Sequence, residues 1–426
     1  MKYLLIISIF INTQLFANNL EDNNRKETIY KDTIYNKNIK TVKLYKSGNT
    51  LNQPLIKLNY GEQIVLSFDE LSDEIKNYYY DFIHCNENWQ ATDLPQSEYM
   101  EGFFDNQVDE YQYSFNTFHH YIHYQIAFPN NDVKLKLSGN YVIKIYKDWN
   151  KDSVMLTRRF FIVNPAINIQ AEVKKPIMSE YFEKGQQVYF KIQHGEYRIY
   201  DPHNDIKILI RQNNRWDNAI TNLKPLFISN NELDYRYHDK NIFQGGSEFR
   251  YFSIKSMRYQ SEFVKSIEYK RPYYYVQLFE DEERTFDPYF FNEDINGKYK
   301  IDVQEGHNPD TDADYVYVTF SLPYEAPFVD GNLYILGALT NWEFGYENNM
   351  QYNFEKKAYE KTLLLKQGYY NYLYAFVLKG QNKADIELIE GSHHQTGNDY
   401  EIFVYHKRPG SRYTELIGYK LLNTVE

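Results

Sequence analysis

Of the 426 residues, Cys85 is the single cysteine. A chain without a second cysteine cannot cross-link itself, so each domain has to stand on packing alone. Cys85 itself, in Tyr80-Asp81-Phe82-Ile83-His84-Cys85, suits a small buried hydrophobe on a strand rather than a nucleophile in a cleft. No apolar run reaches the ~20 residues that a helix needs to cross a bilayer. Positive charge is scarce: 47 Lys and Arg stand against 58 Asp and Glu, a formal charge of −11. Without a concentrated basic face the phosphates of a nucleic acid are repelled, which excludes that class of partner. Long 3.6-residue periodicity is nearly absent, and there is no fixed-period repeat or low-complexity tract. Common chemical motifs are missing as well: no G-x-S-x-G elbow, no phosphate-cradling glycine loop and no H-E-x-x-H helix. Carboxylates abound, but glycoside hydrolysis depends on their separation across a cleft, which spacing in a β-rich sequence does not report. Nothing here supports catalysis, a cofactor or a metal.

What the chain has is tyrosine. Its 44 Tyr help bring the aromatic share to 18% and the hydrophobic share to 42%, although mean hydropathy is only −0.68. Tyrosine scores as polar yet buries a ring, so low hydropathy here does not mean disorder. Residues 1–17 read as a secretory signal. Lys2 is the positive end, Tyr3 to Ile11 the apolar centre, and Asn12 to Ala17 the polar and small end, with cleavage expected after Ala17. No lipobox cysteine follows. Residues 18–38 are polar and charged, a leader expected to be flexible or to order only on contact.

From Ile39 onward the period is two. Tyr141, Ile143 and Ile145 share one face of an expected strand, with Val142, Lys144 and Tyr146 on the other. Similar runs occur at 63–68, 159–163, 188–192, 206–210 and 273–279, separated by turn signals such as Ser47-Gly48-Asn49 and Ser138-Gly139-Asn140. Residues 68–78 are the one stretch read as a short helix. The class is all-β, and short strands at this spacing favour tandem immunoglobulin-like sandwiches. Three domains are expected: 39–165, closed by Asn164-Pro165; 166–285, closed by the acidic run Glu280 to Glu283 before Asp287-Pro288; and 286–426.

The candidate functional residues are few. His119 and His123 would share a strand face with His120 opposed, but two histidines without a carboxylate or thiol beside them make a poor metal site, so they read as hydrogen-bonding residues. His393-His394 is equally weak. Trp342 follows a strand and turn and could stack on a pyranose ring; packing is the competing role. Trp89 and Trp149 read as structural. Trp216, in Arg215-Trp216-Asp217-Asn218, sits in a polar loop and is the candidate partner contact.

Several strings together carry a family resemblance. They are Ile39-Lys40-Thr41-Val42-Lys43-Leu44, then Tyr80-Asp81-Phe82-Ile83-His84-Cys85-Asn86-Glu87-Asn88-Trp89, Glu98-Tyr99-Met100-Glu101-Gly102-Phe103 and Ser138-Gly139-Asn140-Tyr141. Leu365-Lys366-Gln367-Gly368-Tyr369-Tyr370-Asn371-Tyr372 and Ile389-Glu390-Gly391-Ser392-His393 follow near the end. In this order, from Ile39 to the C-terminus, the chain resembles the plug proteins of the type IX secretion system of Bacteroidota. The resemblance implies a non-enzymatic periplasmic protein at the inner face of the outer membrane. It would close the periplasmic end of a giant β-barrel translocon of the SprA/Sov type, as a peripheral protein without a membrane span. The stretch 331–376 resembles the early-set sandwiches of glycogen-branching enzymes, but Tyr359 stands where a second stacking tryptophan is expected. The rival reading is a periplasmic glycan-binding sandwich centred on Trp342, with the tyrosine strand Tyr370, Tyr372 and Tyr374 as its platform. A secreted hydrolase is the third option, and would need an acid pair across a cleft.

Overall fold

Side chains alternate across a strand, so the register of pairing decides which rings meet. In the first sandwich Ile143 faces Phe82 and Ile145 faces Tyr80 across neighbouring strands. The computed structural model describes residues 30–237 and 239–425; the signal, 1–17, and leader residues 18–29 lie outside the described residues. The fold is all-β, as the alternation implies. One sheet of the first sandwich orders Ile39–Lys46, Ile64–Glu70, Ile122–Phe128 and Glu110–Tyr113. The facing sheet orders Thr33–Ile34, Asn150–Val163, Gly139–Lys147, Tyr78–Cys85 and Asn106–Gln107, with Leu55–Lys57 parallel to Asn150–Val163. Between them lie the rings of Phe68, Tyr78, Tyr80, Phe82, Tyr124, Phe128, Tyr141 and Phe160.

Three local expectations are corrected. Residues 71–77 are an irregular connection between two strands, not a helix. The backbone there is held by side chains instead: Ser72 Oγ accepts from the Glu74 amide at 3.1 Å, and the Tyr124 hydroxyl accepts from the Lys76 amide at 2.9 Å. Such bonds compete with helix formation. Trp149 is not a core tryptophan, although its ring meets that of Tyr79 at 4.1 Å. It lies with Asp148 at a hairpin tip, both at positive φ (58° and 54°), and is 64% exposed, as the right-handed twist of a two-residue hairpin turn requires. The leader is not flexible over its described part. Thr33–Ile34 pairs with Asn150–Val163, Asp32 binds the Arg159 guanidinium at 2.7 Å, and the Lys31 carbonyl accepts from Thr157.

The expected split at 285/286 is corrected by the sheet topology. The second sandwich has one sheet of Asn168–Lys174, Gly185–Gln193, Glu232–Asp234 and Phe227–Ile228, with Ile242–Gln244 beside Gly185–Gln193. Its other sheet orders Ile220–Thr221, Ile206–Gln212, Asp399–His406 and Glu415–Asn423. Half of that sheet therefore comes from the C-terminus. The third sandwich is inserted between. It pairs Arg250–Ser253, Tyr299–Ile301 and Gly331–Leu336 with Gly368–Leu378. Over this lies a sheet of Val264–Lys270, Tyr273–Leu278, Tyr315–Pro323, Ala358–Lys366 and Gln351–Asn353. Local alternation is blind to such long-range pairing, because any strand with an apolar face can complete either sandwich.

The first and second sandwiches pack sheet against sheet. Cys85, Trp89, Val142, Phe161 and Val163 meet Leu209, Phe403, Tyr405 and Leu416 in a shared apolar layer. Cys85 is fully buried there, and burial pushes its thiol up to about 12, which makes it a hydrophobe and not a nucleophile. Phe403 stands with its ring centroid 4.5 Å from that of Phe161 and 5.1 Å from that of Tyr419. Phe403→Ala is expected to cost about 3–5 kcal/mol, read as a lowered midpoint of urea unfolding. A cost below about 1 kcal/mol would show that this layer does not hold the sandwiches together.

Candidate interaction surface

The residues that suggested a sugar platform are interior. Tyr370, Tyr372 and Tyr374 are at most 3% exposed. Tyr372 and Tyr374 both donate to Asp281 Oδ2, at 2.7 and 2.6 Å. Tyr359 is buried and its hydroxyl accepts from the Phe328 amide at 2.6 Å. Trp342 is 9% exposed and packs edge-on against Phe249. The ring is so close to Gly297, at φ +75°, that a Cβ there would fall 2.2 Å from Trp342 Cη2. With so little of the indole exposed, it is not an open stacking platform for a pyranose ring.

Trp216 is not an exposed loop residue either. Its loop folds inward because Arg215 and Asp217, each 4% exposed at the side chain, form a two-pronged pair at 3.0 and 2.6 Å. The Trp216 ring is thereby brought 4.1 Å from the Arg159 guanidinium and 4.5 Å from that of Arg211, with Trp89 edge-on at 5.6 Å. The Arg159 contact is a cation–π contact between the first and second sandwiches, and the Arg211 contact lies within the second. Polar neighbours in sequence suggested exposure; they are the residues that pull the loop in.

The histidines do not converge. His119 precedes the Ile122–Phe128 strand, so alternation does not reach it, and its ring stacks on Tyr273 at 4.8 Å. His120 lies 3.3 Å from Asp73 at the surface. His123 is buried, with Nδ1 2.7 Å from Asp69 Oδ1. Asp69 is the centre of a polar joint between the first and third sandwiches. Its Oδ2 accepts from Lys366 Nζ at 2.6 Å and from the Tyr315 hydroxyl at 2.7 Å, and Thr41 bonds the same hydroxyl at 2.6 Å. The Lys366 ammonium also lies 4.2 Å over the Tyr121 ring.

Sequence reasoning missed the segment 279–298, read as a domain end. It has no regular secondary structure, yet it is tied down along its length. Asp281 N donates to Ser321 O at 2.9 Å and Arg284 N to Ile389 O at 2.7 Å. Thr285 Oγ1 donates to Leu388 O, and the Tyr289 hydroxyl to Glu248 Oε1, both at 2.6 Å. Ile295 N reaches Asn371 Oδ1 at 2.7 Å. Beneath it Glu390, fully buried, is bound by Arg250 at 3.0 Å and Arg284 at 2.6 Å. Burial pushes the Glu390 carboxyl up, and the two guanidinium groups overcome that and hold it below its usual range. This tethered strap presents Phe286 at 97%, Phe290 at 81% and Phe291 at 53% exposure. Phenylalanines on a backbone fixed by so many bonds lose little entropy on meeting a partner, and adjacent exposed rings mark interaction sites. The only sequence signal was four phenylalanines, Phe279, Phe286, Phe290 and Phe291, in a stretch without alternation.

The Asp69 joint has a measurable signature. Burial pushes the Asp69 carboxyl up, but Lys366 and then His123 more than offset this and hold it below the ordinary carboxylate range. A carboxyl depressed in the folded state contributes stability that is present above its unfolded value of about 4 and lost as pH falls through the folded value. Lys366→Met strands a buried carboxylate and is expected to cost about 3–5 kcal/mol at pH 7. The double change Asp69→Asn with Lys366→Met is expected to recover much of that loss. Urea unfolding of the three variants at pH 7 and pH 3 tests this; a single variant no less stable than the wild type rules it out.

The comparisons with known proteins agree with the sequence resemblance. The family model described as type 9 secretion system plug protein 1st domain matches residues 39–164, which hold the first sandwich apart from its Thr33–Ile34 edge strand. The crystal structure of a hypothetical protein from Parabacteroides merdae ATCC 43184 superposes with a TM-score of 0.90 at 37% identity, covering 92% of this chain and 99% of that one. No curated protein matches the chain. With the first sandwich matched by the family model and the ordered strings running to the C-terminus, the chain belongs to the type 9 secretion system plug protein family and takes part in type IX secretion.

Proposed function

We propose that this protein is a non-enzymatic periplasmic plug. It binds the periplasmic end of the outer-membrane translocon barrel, of the SprA/Sov type, at the inner face of the outer membrane and closes it. The observation that carries the contact is the tethered strap with Phe286, Phe290 and Phe291 exposed. Closing a pore calls for bulk and stiffness behind a reversible contact. Stiffness is supplied by the inserted topology, by the apolar layer around Phe161 and Phe403, and by the Asp69–Lys366 joint. Contact is supplied by aromatic side chains that are already held in place. The exposed acidic residues along the strap, Glu280, Glu282, Glu283 and Asp287, favour a docking surface with basic side chains around an apolar centre.

The plug reading is tested by purification from native membranes in mild detergent, where the large barrel is expected to accompany the protein. Its absence would count against the reading. Phe286→Ser with Phe290→Ser and Phe291→Ser is expected to leave the melting temperature unchanged, since all three rings are exposed, and to reduce barrel recovery at least tenfold. Full recovery would place the contact elsewhere on the protein. Deletion of the gene is expected to let normally excluded solutes cross the outer membrane while the translocon is idle. Unchanged permeability would remove the closing role and leave association alone.

A further inference from the structure

The three sandwiches meet around a cleft of about 170 Å³ lined by Lys43, Arg158 and Arg159 of the first, Arg211 and Trp216 of the second, and Lys298 and Trp342 of the third. It shares Leu51, Asn52, Gln53 and Lys298 with a wider groove of about 640 Å³ that adds Lys46 and Lys57. In a chain of net charge −11 this concentration of cations has to be explained, and pairing explains only part of it. Arg159 is held by Asp32 at 2.7 Å, Arg211 by Glu401 at 2.7 Å and Lys298 by Asp399 at 3.1 Å. Arg158 and Lys43 have no such partner among the described residues. Arg158 is 5% exposed and donates to neutral acceptors, the Thr157 carbonyl and Asn341 Oδ1, both at 3.0 Å. Lys43 Nζ reaches the Tyr299 carbonyl at 3.5 Å and lies over the Tyr299 ring at 4.8 Å. The Nε of Arg211, a residue only 4% exposed, has no acceptor among the described residues.

Cations withdrawn from water whose hydrogen bonds go only to neutral acceptors are costly; Asp32 and Glu343 oppose that cost for Arg158 without forming a close ion pair with it. Burial pushes the Lys43 ammonium down to about 8, with Asp310 opposing and Lys366 and Lys300 adding to the shift. An anion in the cleft reverses that penalty. The planar guanidinium groups match the two oxygens of a carboxylate or phosphate, and the Trp216 and Trp342 rings give the stem of such a ligand an apolar wall.

We propose that this cleft is a binding site for an oxyanion, a carboxylate or phosphate group, seated between Lys43 and Arg158 at the junction of the three sandwiches. A ligand there touches all three bodies, so it stabilises their mutual arrangement by mass action. The proposal is independent of the plug reading, because binding is measured on the isolated protein.

The test is titration of the purified mature protein with inorganic phosphate and, separately, with citrate, at constant ionic strength. Tryptophan fluorescence and calorimetry are the readouts. Saturable binding of either probe is expected, with a rise in melting temperature and a change in tryptophan emission. Phosphate binding tighter than citrate assigns a phosphoryl source, and the reverse a carboxylate source. Lys43→Gln, at a half-buried position, is expected to fold and to weaken binding at least tenfold; Arg158→Gln is expected to weaken it further. Lys270→Gln, on an exposed hairpin of the third sandwich, is expected to bind as the wild type does. Failure of both probes to saturate, or unchanged affinity in Lys43→Gln, overturns the proposal.

Discussion

The strand Asp399–His406 is buried at every one of its eight residues, and the arrangement of the molecule depends on that. Tyr400, Ile402 and Val404 point into the core of the second sandwich, while Phe403 and Tyr405 point out into the layer shared with the first. A strand covered on both faces cannot alternate between polar and apolar residues. It also cannot pair until the chain has gone out through the whole third sandwich and come back. The second sandwich is thus incomplete without the inserted one, and its outer face is unprotected without the first. With Cys85 the single cysteine, this double burial does what cross-links do in smaller exported domains.

Polar joints then fix the angles that apolar layers leave loose. Hydrophobic contact is non-directional, so a layer such as that around Phe161 and Phe403 permits sliding. The Asp69 joint does not: Lys366, Tyr315 and His123 converge on one carboxylate from two sandwiches, and each bond has a preferred direction. Glu390 does the same beneath the strap, where Arg250 and Arg284 bind it while its Oε1 takes the Tyr374 amide at 2.7 Å. Buried charges of this kind add little net stability against an apolar substitute. What they add is a defined relative position, and a protein whose work is contact rather than chemistry depends on position.

Alternation made the all-β class and the separate strands legible, because period two is written in consecutive residues. Tyr141, Ile143 and Ile145 do share a buried face. Partnership between distant strands is not written locally, which is why Ile206–Gln212 gave no sign that its neighbour lies at Asp399–His406. Aromatic residues were misread for a related reason. A tyrosine on a strand looks the same whether it faces solvent or, like Tyr372 and Tyr374, the inward-turned carboxylate of Asp281. Trp216 looked exposed because Arg215 and Asp217 flank it, yet those two neutralise each other and turn the ring inward. Conversely, the strap at 279–298 carried no alternation to read, and so looked like a boundary. Its tethers come from Ser321, Ile389 and Asn371, far away in sequence.

The same distance effect accounts for the charge pattern at the junction. Lys43, Arg158, Arg159, Arg211 and Lys298 are scattered through three sandwiches, so no segment of the sequence reads as basic, and the chain as a whole is acidic. Folding gathers them at the place where the bodies meet. Like charges brought together in a low-dielectric setting repel strongly, and Asp32, Glu401 and Asp399 relieve part of this for three of the cations. Asp32 lies just ahead of the short Thr33–Ile34 strand, where it and the Lys31 carbonyl are bound by Arg159 and Thr157 of the first sandwich. The described end of the leader is therefore part of the electrostatics of the junction. Whatever changes charge there acts on a region where all three sandwiches meet.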